Sequence, residues 1–137
     1  VVLCTVIGAG VWLFAPERLL VIVRRAPLVW AAIMVLYPLV SVYSQEVLFR
    51  AFFFERYRPL IGQGVGAVAT GAVLLGCAHV VFGNWLSVAL SGAGGVLFAR
   101  TYLQSGSLAL ASLEHALYGD FIFTIGLGEF FYHGTRR

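Results

Sequence analysis

The apolar residues of this chain fall into long unbroken runs, not into the stripes of a fold that meets water on one side. The first run extends from Val1 to Phe14. Pro16, Glu17, Arg18, Arg24, Arg25 and Pro27 then interrupt the pattern around an apolar patch, LLVIV, and predict an interfacial connection lying among lipid headgroups. A second run begins near Leu28 and passes through Tyr57, longer than the roughly 20 residues a helix needs to cross a bilayer. Pro38 predicts a kink inside it. Glu55, Arg56 and Arg58 end it, and Pro59, Gly62 and Gly64 predict the turn that follows. The third run is Val65 to Phe82, closed by Gly83 and Asn84, and the fourth is Trp85 to Leu103, closed by Gln104, Ser105 and Gly106. The fifth runs from Ser107 to Tyr132, ahead of Thr135, Arg136 and Arg137.

No segment alternates with period two, which argues against a transmembrane barrel. The pattern predicts an all-α, polytopic transmembrane helix bundle of about four full spans plus a truncated first one. It forms a single membrane-embedded domain over residues 1–137 that reads as a piece of a longer chain. Gly66, Gly71, Gly92, Gly94 and Gly95 suit close helix–helix contact. Arginines flank both ends of the second run and the terminal pair opposes Arg100, so the charge asymmetry does not select an orientation.

Composition sharpens this picture. Hydrophobic residues make up 61% of the chain and charged residues 11%, against about 25% charged in soluble domains. Mean hydropathy is +0.93. So little polar surface excludes a soluble globular domain, a disordered chain and a classical nucleic-acid binder. All nine basic residues are Arg, so there is no lysine for a phosphate-binding loop, a Schiff base or a Ser-Lys dyad. Cys4 and Cys77 lie inside apolar runs with no metal or redox spacing, and read as small apolar side chains. Trp12, Trp30 and Trp85 fit an aromatic belt, and Glu129 and His133 fit interfacial anchoring.

The candidate chemistry lies in the ionisable residues inside the runs: Glu46, Arg50, His79, Glu114, His115 and Asp120. A charge at mid-span costs about 2.5–3.5 kcal/mol on the insertion scale, so such residues face the bundle interior and mark function by default. Glu46 and Arg50 are four apart and share a helix face. They could equally be a buried ion pair that pins helices together, His79 a satisfied core histidine, and His115 with Asp120 a local hydrogen bond. Together, a carboxylate, an arginine and two histidines on three helices make up a general-base and proton-shuttle set. An aspartyl protease needs two aspartates and the chain has one; HExxH and its inversion are absent; no GxSG element is present.

QEVLFR at 45–50, CAH at 77–79 and EHALYGD at 114–120 resemble the three motifs of the CAAX-protease and bacteriocin-processing family, intramembrane endopeptidases of the type II CAAX prenyl endopeptidase kind. That family's pattern is EExxxR, FxxxH and HxxxN or HxxxD on successive helices. The order and the separate helices match over about residues 30–132. Three positions depart: Gln45 replaces the first Glu, Leu75 the Phe, and Gly119 the Asn or Asp, with Asp120 one step on.

The resemblance implies hydrolysis of a peptide bond in a membrane-associated protein or peptide. In that reading Glu46 activates a water, His79 shares it, and His115 supports the oxyanion. Asp120 or the Gly119 backbone places the His115 ring, and Arg50 orients Glu46. The same Glu46, His79 and His115 could instead hold Zn²⁺ with water as the fourth ligand. The expected partners are a membrane-delivered peptide and the lipid bilayer, with no nucleic acid. An Arg-only chain rich in Gly, Ala and Val fits a bacterial plasma membrane. Gln45 also allows a catalytically inactive relative that works as a binding or chaperone module, and buried Glu, His and Asp allow a small transporter.

Overall fold

The computed structural model describes residues 2–131, and every regular element in that range is helical. Helix α1 (Val2–Phe14) meets a short segment at Pro16 and turns through 110° into Pro16–Arg25, which includes α2 (Val21–Arg25). The bend falls where proline and charge interrupt the apolar pattern. Helix α3 (Pro27–Ile61) is continuous over 35 residues. Helix α4 (Val65–Ala78) continues as a tighter 3₁₀ turn, His79–Phe82. Helices α5 (Trp85–Ser105) and α6 (Leu108–Thr124) follow, and Gly128–Phe131 makes a last 3₁₀ turn.

Local sequence explains the boundaries. Asn84 caps α5 by accepting from Ser87 N, and Ser107 caps α6 by accepting from Leu110 N. Between them Gly106 takes the left-handed conformation, φ 65°, that closes a helix most cheaply in the absence of a β-carbon. The two interior prolines of α3 behave differently. The predicted kink at Pro38 appears as a π-helical segment, Tyr37–Val42, in which the wider turn accommodates the missing N–H without ending the helix. Pro59 lies inside the helix, and the chain turns only at Gly62. A second π segment, Val47–Phe52, follows immediately after Glu46.

Among the described residues, three helices are long and apolar enough to cross a membrane (α3, Val65–Phe82 and α5), or four if the bent pair Val2–Phe14 and Pro16–Arg25 is one span. The expected fifth run is shorter than its hydropathy suggested. Helix α6 stops at Thr124, and its 17 residues reach about 25 Å. The predicted continuation is instead a turn followed by the 3₁₀ segment Gly128–Phe131; Tyr132, His133 and the terminal arginines lie outside the described residues.

Burial is inverted relative to a water-soluble protein. Arg50 and Glu46 are among the largest fully buried side chains, whereas Phe14, Leu28, Leu60, Val65 and Trp85 are each more than three-quarters exposed. A bilayer is the solvent in which that arrangement is favourable, because apolar side chains lose nothing by facing lipid and charges gain partners inside. The most extensive helix contact among the described residues joins α4 to α5. A β-carbon at Gly95 would lie 2.8 Å from Ala72 Cα, and one at Gly76 would lie 3.3 Å from Val88 O. Small residues let these two backbones approach, as membrane packing requires. Of the other predicted packing glycines, Gly71 admits the Phe54 ring and Gly94 leaves room for Phe98 of its own helix.

Candidate active site

Glu46 is fully buried at the stretch of α3 between the two π segments. One turn on, Arg50 is also fully buried, with Nε 3.4 Å from Glu46 Oε2. Its guanidinium carbon lies 5.7 Å from the centroid of Phe54. The expected i,i+4 pair therefore exists. The other carboxylate oxygen, Oε1, is 2.8 Å from Nδ1 of His115 on α6. Glu46 thus links two helices 69 residues apart in sequence and neutralises an arginine at the same time.

The His115 ring is fixed on three sides. Glu46 holds Nδ1, Phe98 stacks on its face at 4.3 Å and 15°, and Tyr37 meets it edge-on at 6.4 Å. An ionised Glu46 accepts the Nδ1 proton, which leaves Nε2 as the free nitrogen. His79 is fixed the same way by a different partner. Its Nδ1 is 2.8 Å from Leu75 O, a carbonyl that can only accept, so Nδ1 carries the proton and Nε2 is again free. Phe82 and Phe131 pack around the His79 ring at 5.5 and 5.8 Å.

His79 and His115 line one cavity of about 50 Å³, with Tyr37, Ser91, Tyr118, Gly119 and apolar side chains completing its wall. A water molecule occupies about 30 Å³ of liquid, so this space admits water. Tyr37 and Phe123 also line an adjoining crevice of about 890 Å³ between the α2–α3 region and the end of α6. Arg18 and Glu129, joined by an ion pair, sit on the wall of that crevice. Glu46 does not line the cavity; it sits behind His115.

Other expected residues fall elsewhere. Among the described residues no hydrogen bond joins Asp120 to His115; five residues along a helix turn about 140° round its axis, so Gly119, four on, lies closer to the face of His115. The Asp120 carbonyl accepts from Thr124 Oγ1, which in turn accepts from Trp30 Nε1. Gln45 donates from Nε2 to Ser41 Oγ at 2.8 Å and is absent from the cavity wall. Glu114 accepts from Thr101 Oγ1 at 2.5 Å and faces a lateral crevice beside α1.

The donor set does not suit a three-ligand zinc site. Glu46 Oε1 is committed to His115, and the carboxylate lies behind that ring instead of beside both imidazoles. Among the described residues no group of three His, Cys, Asp or Glu side chains is placed to hold a metal ion. Tyr37 is the site residue that sequence reasoning missed. It sits in an apolar run next to Pro38, where a tyrosine resembles an interfacial anchor, and only the helix packing shows it on the cavity wall.

Comparison with known proteins agrees with the three motifs. The family model described as type II CAAX prenyl endopeptidase Rce1-like matches residues 27–119, which include Glu46, Arg50, His79, His115 and Gly119. Searches of curated proteins and of solved structures returned no match. By the extent of that family match, the chain belongs to the Rce1-like family of type II CAAX prenyl endopeptidases, integral membrane proteins built to cleave peptide bonds.

Proposed function

We propose that this protein hydrolyses a peptide bond of a membrane-associated substrate by a metal-free histidine mechanism, in which Glu46 acts through His115. The observation that carries this reading is the shared cavity: two imidazoles from different helices, each tied at Nδ1, face one space large enough for water. A water held there gives a proton to Nε2 of His115 as its oxygen bonds to the scissile carbonyl carbon. The Glu46 carboxylate stabilises the imidazolium that forms, which is the role a buried carboxylate plays behind a catalytic histidine. His79 Nε2 accepts the water's other hydrogen and holds the nucleophile in line. When the C–N bond breaks, the imidazolium proton passes to the leaving amine.

Sequence reasoning placed the water on Glu46 itself. With Oε1 spent on His115, the carboxylate works better one step back. Arg50 fixes the carboxylate from the far side. Gln45 carries no step, since its amide is hydrogen-bonded along its own helix. The peptide enters by the 890 Å³ crevice, which meets the cavity at Tyr37 and Phe123; the Phe123 ring gives way while Tyr37 stays over Gly119. The family suggests a prenylated carboxy-terminal peptide as the substrate class, and the composition suggests a bacterial plasma membrane as the setting.

The test uses the full chain in liposomes and a quenched fluorescent farnesylated peptide ending in a Cys-aliphatic-aliphatic-X sequence, beside its unprenylated twin. Cleavage should occur and should fall at least about 10²-fold in His79→Ala and in His115→Ala. It should persist in 1,10-phenanthroline. Full activity in both histidine variants would refute the mechanism, and chelator inactivation reversed by Zn²⁺ would refute its metal-free form. Binding of the peptide without turnover would favour the inactive relative.

A further inference from the structure

The mechanism above lacks one component. As the carbonyl is attacked, its oxygen becomes an anion and needs a proton donor already in place. Neither imidazole offers one at rest, because each carries its single proton on Nδ1, tied to Leu75 O or to Glu46. The other polar side chains on the cavity wall are Tyr37, Ser91 and Tyr118.

Tyr37 stands apart from the other two. Its ring is held edge-on to His115 at 6.4 Å and to Phe123 at 5.1 Å. Among the described residues, no hydrogen bond engages its hydroxyl. The hydroxyl packs directly over Gly119, one helical turn after His115, where an added β-carbon would collide with both the hydroxyl and the ring. Glycine at 119 is thus what admits the phenol to the His115 face of α6. A phenol is also a stronger hydrogen-bond donor than the Ser91 alcohol. The ring of Tyr118 leans instead on Phe98 at 6.1 Å and borders the lateral crevice as well.

We propose that Tyr37 is a further catalytic residue, whose hydroxyl donates to the oxyanion formed in the His79–His115 cavity. The inference rests on the hydrolytic reading above. No bond to Tyr37 forms or breaks: the phenol keeps its proton and shares it with the carbonyl oxygen until the amine departs.

Tyr37→Phe removes the hydroxyl and keeps the ring that packs on Gly119 and Phe123. With the farnesylated peptide in liposomes, kcat should fall about 10²–10³-fold while KM stays within about two-fold. Affinity for a peptide phosphonate, which carries the tetrahedral anion, should weaken by a similar factor, and the thermal midpoint should not move. Ser91→Ala and Tyr118→Phe should each cost less kcat than Tyr37→Phe. Unchanged kcat in Tyr37→Phe, a loss confined to KM, or a larger loss in Ser91→Ala or Tyr118→Phe would overturn the assignment. Failure of the hydrolytic reading looks different: His79→Ala and His115→Ala would turn over like the parent, or the parent would not cleave, and either result removes the Tyr37 proposal with it.

Discussion

Glu46 meets two partners that ask different things of it. Arg50 needs its charge, because a fully buried guanidinium with no counter-ion carries a large desolvation cost. His115 needs an acceptor at Nδ1, to keep Nε2 free, and a charge to stabilise the imidazolium. Glu46→Gln separates these demands. The amide oxygen can still accept from Nδ1–H, so the ring should stay in place, but the imidazolium loses its stabilisation. Turnover of the farnesylated peptide should fall about 10²–10⁴-fold with little change in KM. Removing the charge also leaves Arg50 uncompensated, so thermal unfolding in micelles should show a cost of about 3–5 kcal/mol. The double variant Glu46→Gln with Arg50→Met should recover much of that stability and none of the activity. Recovery of activity would mean that Glu46 serves only as ballast for the arginine.

At the scale of helices, the α4–α5 seam sets the distance between the His79 turn and the Phe98 ring that stacks on His115. The seam's tolerance is uneven. Gly95 faces the Ala72 backbone at 2.8 Å from a would-be β-carbon, whereas Gly92 would meet Ala72 O at 3.8 Å, an ordinary contact. Gly95→Ala should therefore cost about 1–3 kcal/mol and disturb turnover, while Gly92→Ala should be close to neutral, both measured by thermal unfolding in micelles. Helix ends and helix identities were legible because punctuation is local: Asn84, Gly106 and Ser107 act on their own neighbours. Pro59 misled because in lipid a helix rearranges its turns before it exposes backbone. Glu46, Arg50 and His115 stood out as polar groups in an apolar run, so the site was half visible. Tyr37 was invisible, since its meaning depends on a glycine 82 positions away, and the committed Glu46–His115 bond depends on a crossing angle that no spacing encodes.

For the whole molecule, the solvent decides the arrangement. Apolar side chains cover the outside, and the polar groups are gathered where α3, α4 and α6 meet, so the oily exterior and the polar interior are two sides of one packing solution. The tryptophans report on that surface. Trp85 is 78% exposed at the start of α5, whereas Trp30 is half-buried and donates Nε1–H to Thr124 Oγ1 at 3.0 Å. In single-tryptophan variants reconstituted with lipids brominated along the acyl chain, Trp85 should be strongly quenched. Trp30 should be quenched less and should emit at a wavelength that shifts in Thr124→Val, because its hydrogen bond is then lost. Equal quenching of both, with no response at Thr124, would mean that α3 and α6 do not pack as described. His115 would then have no fixed relation to Glu46, since the same two helices carry both ends of that bond.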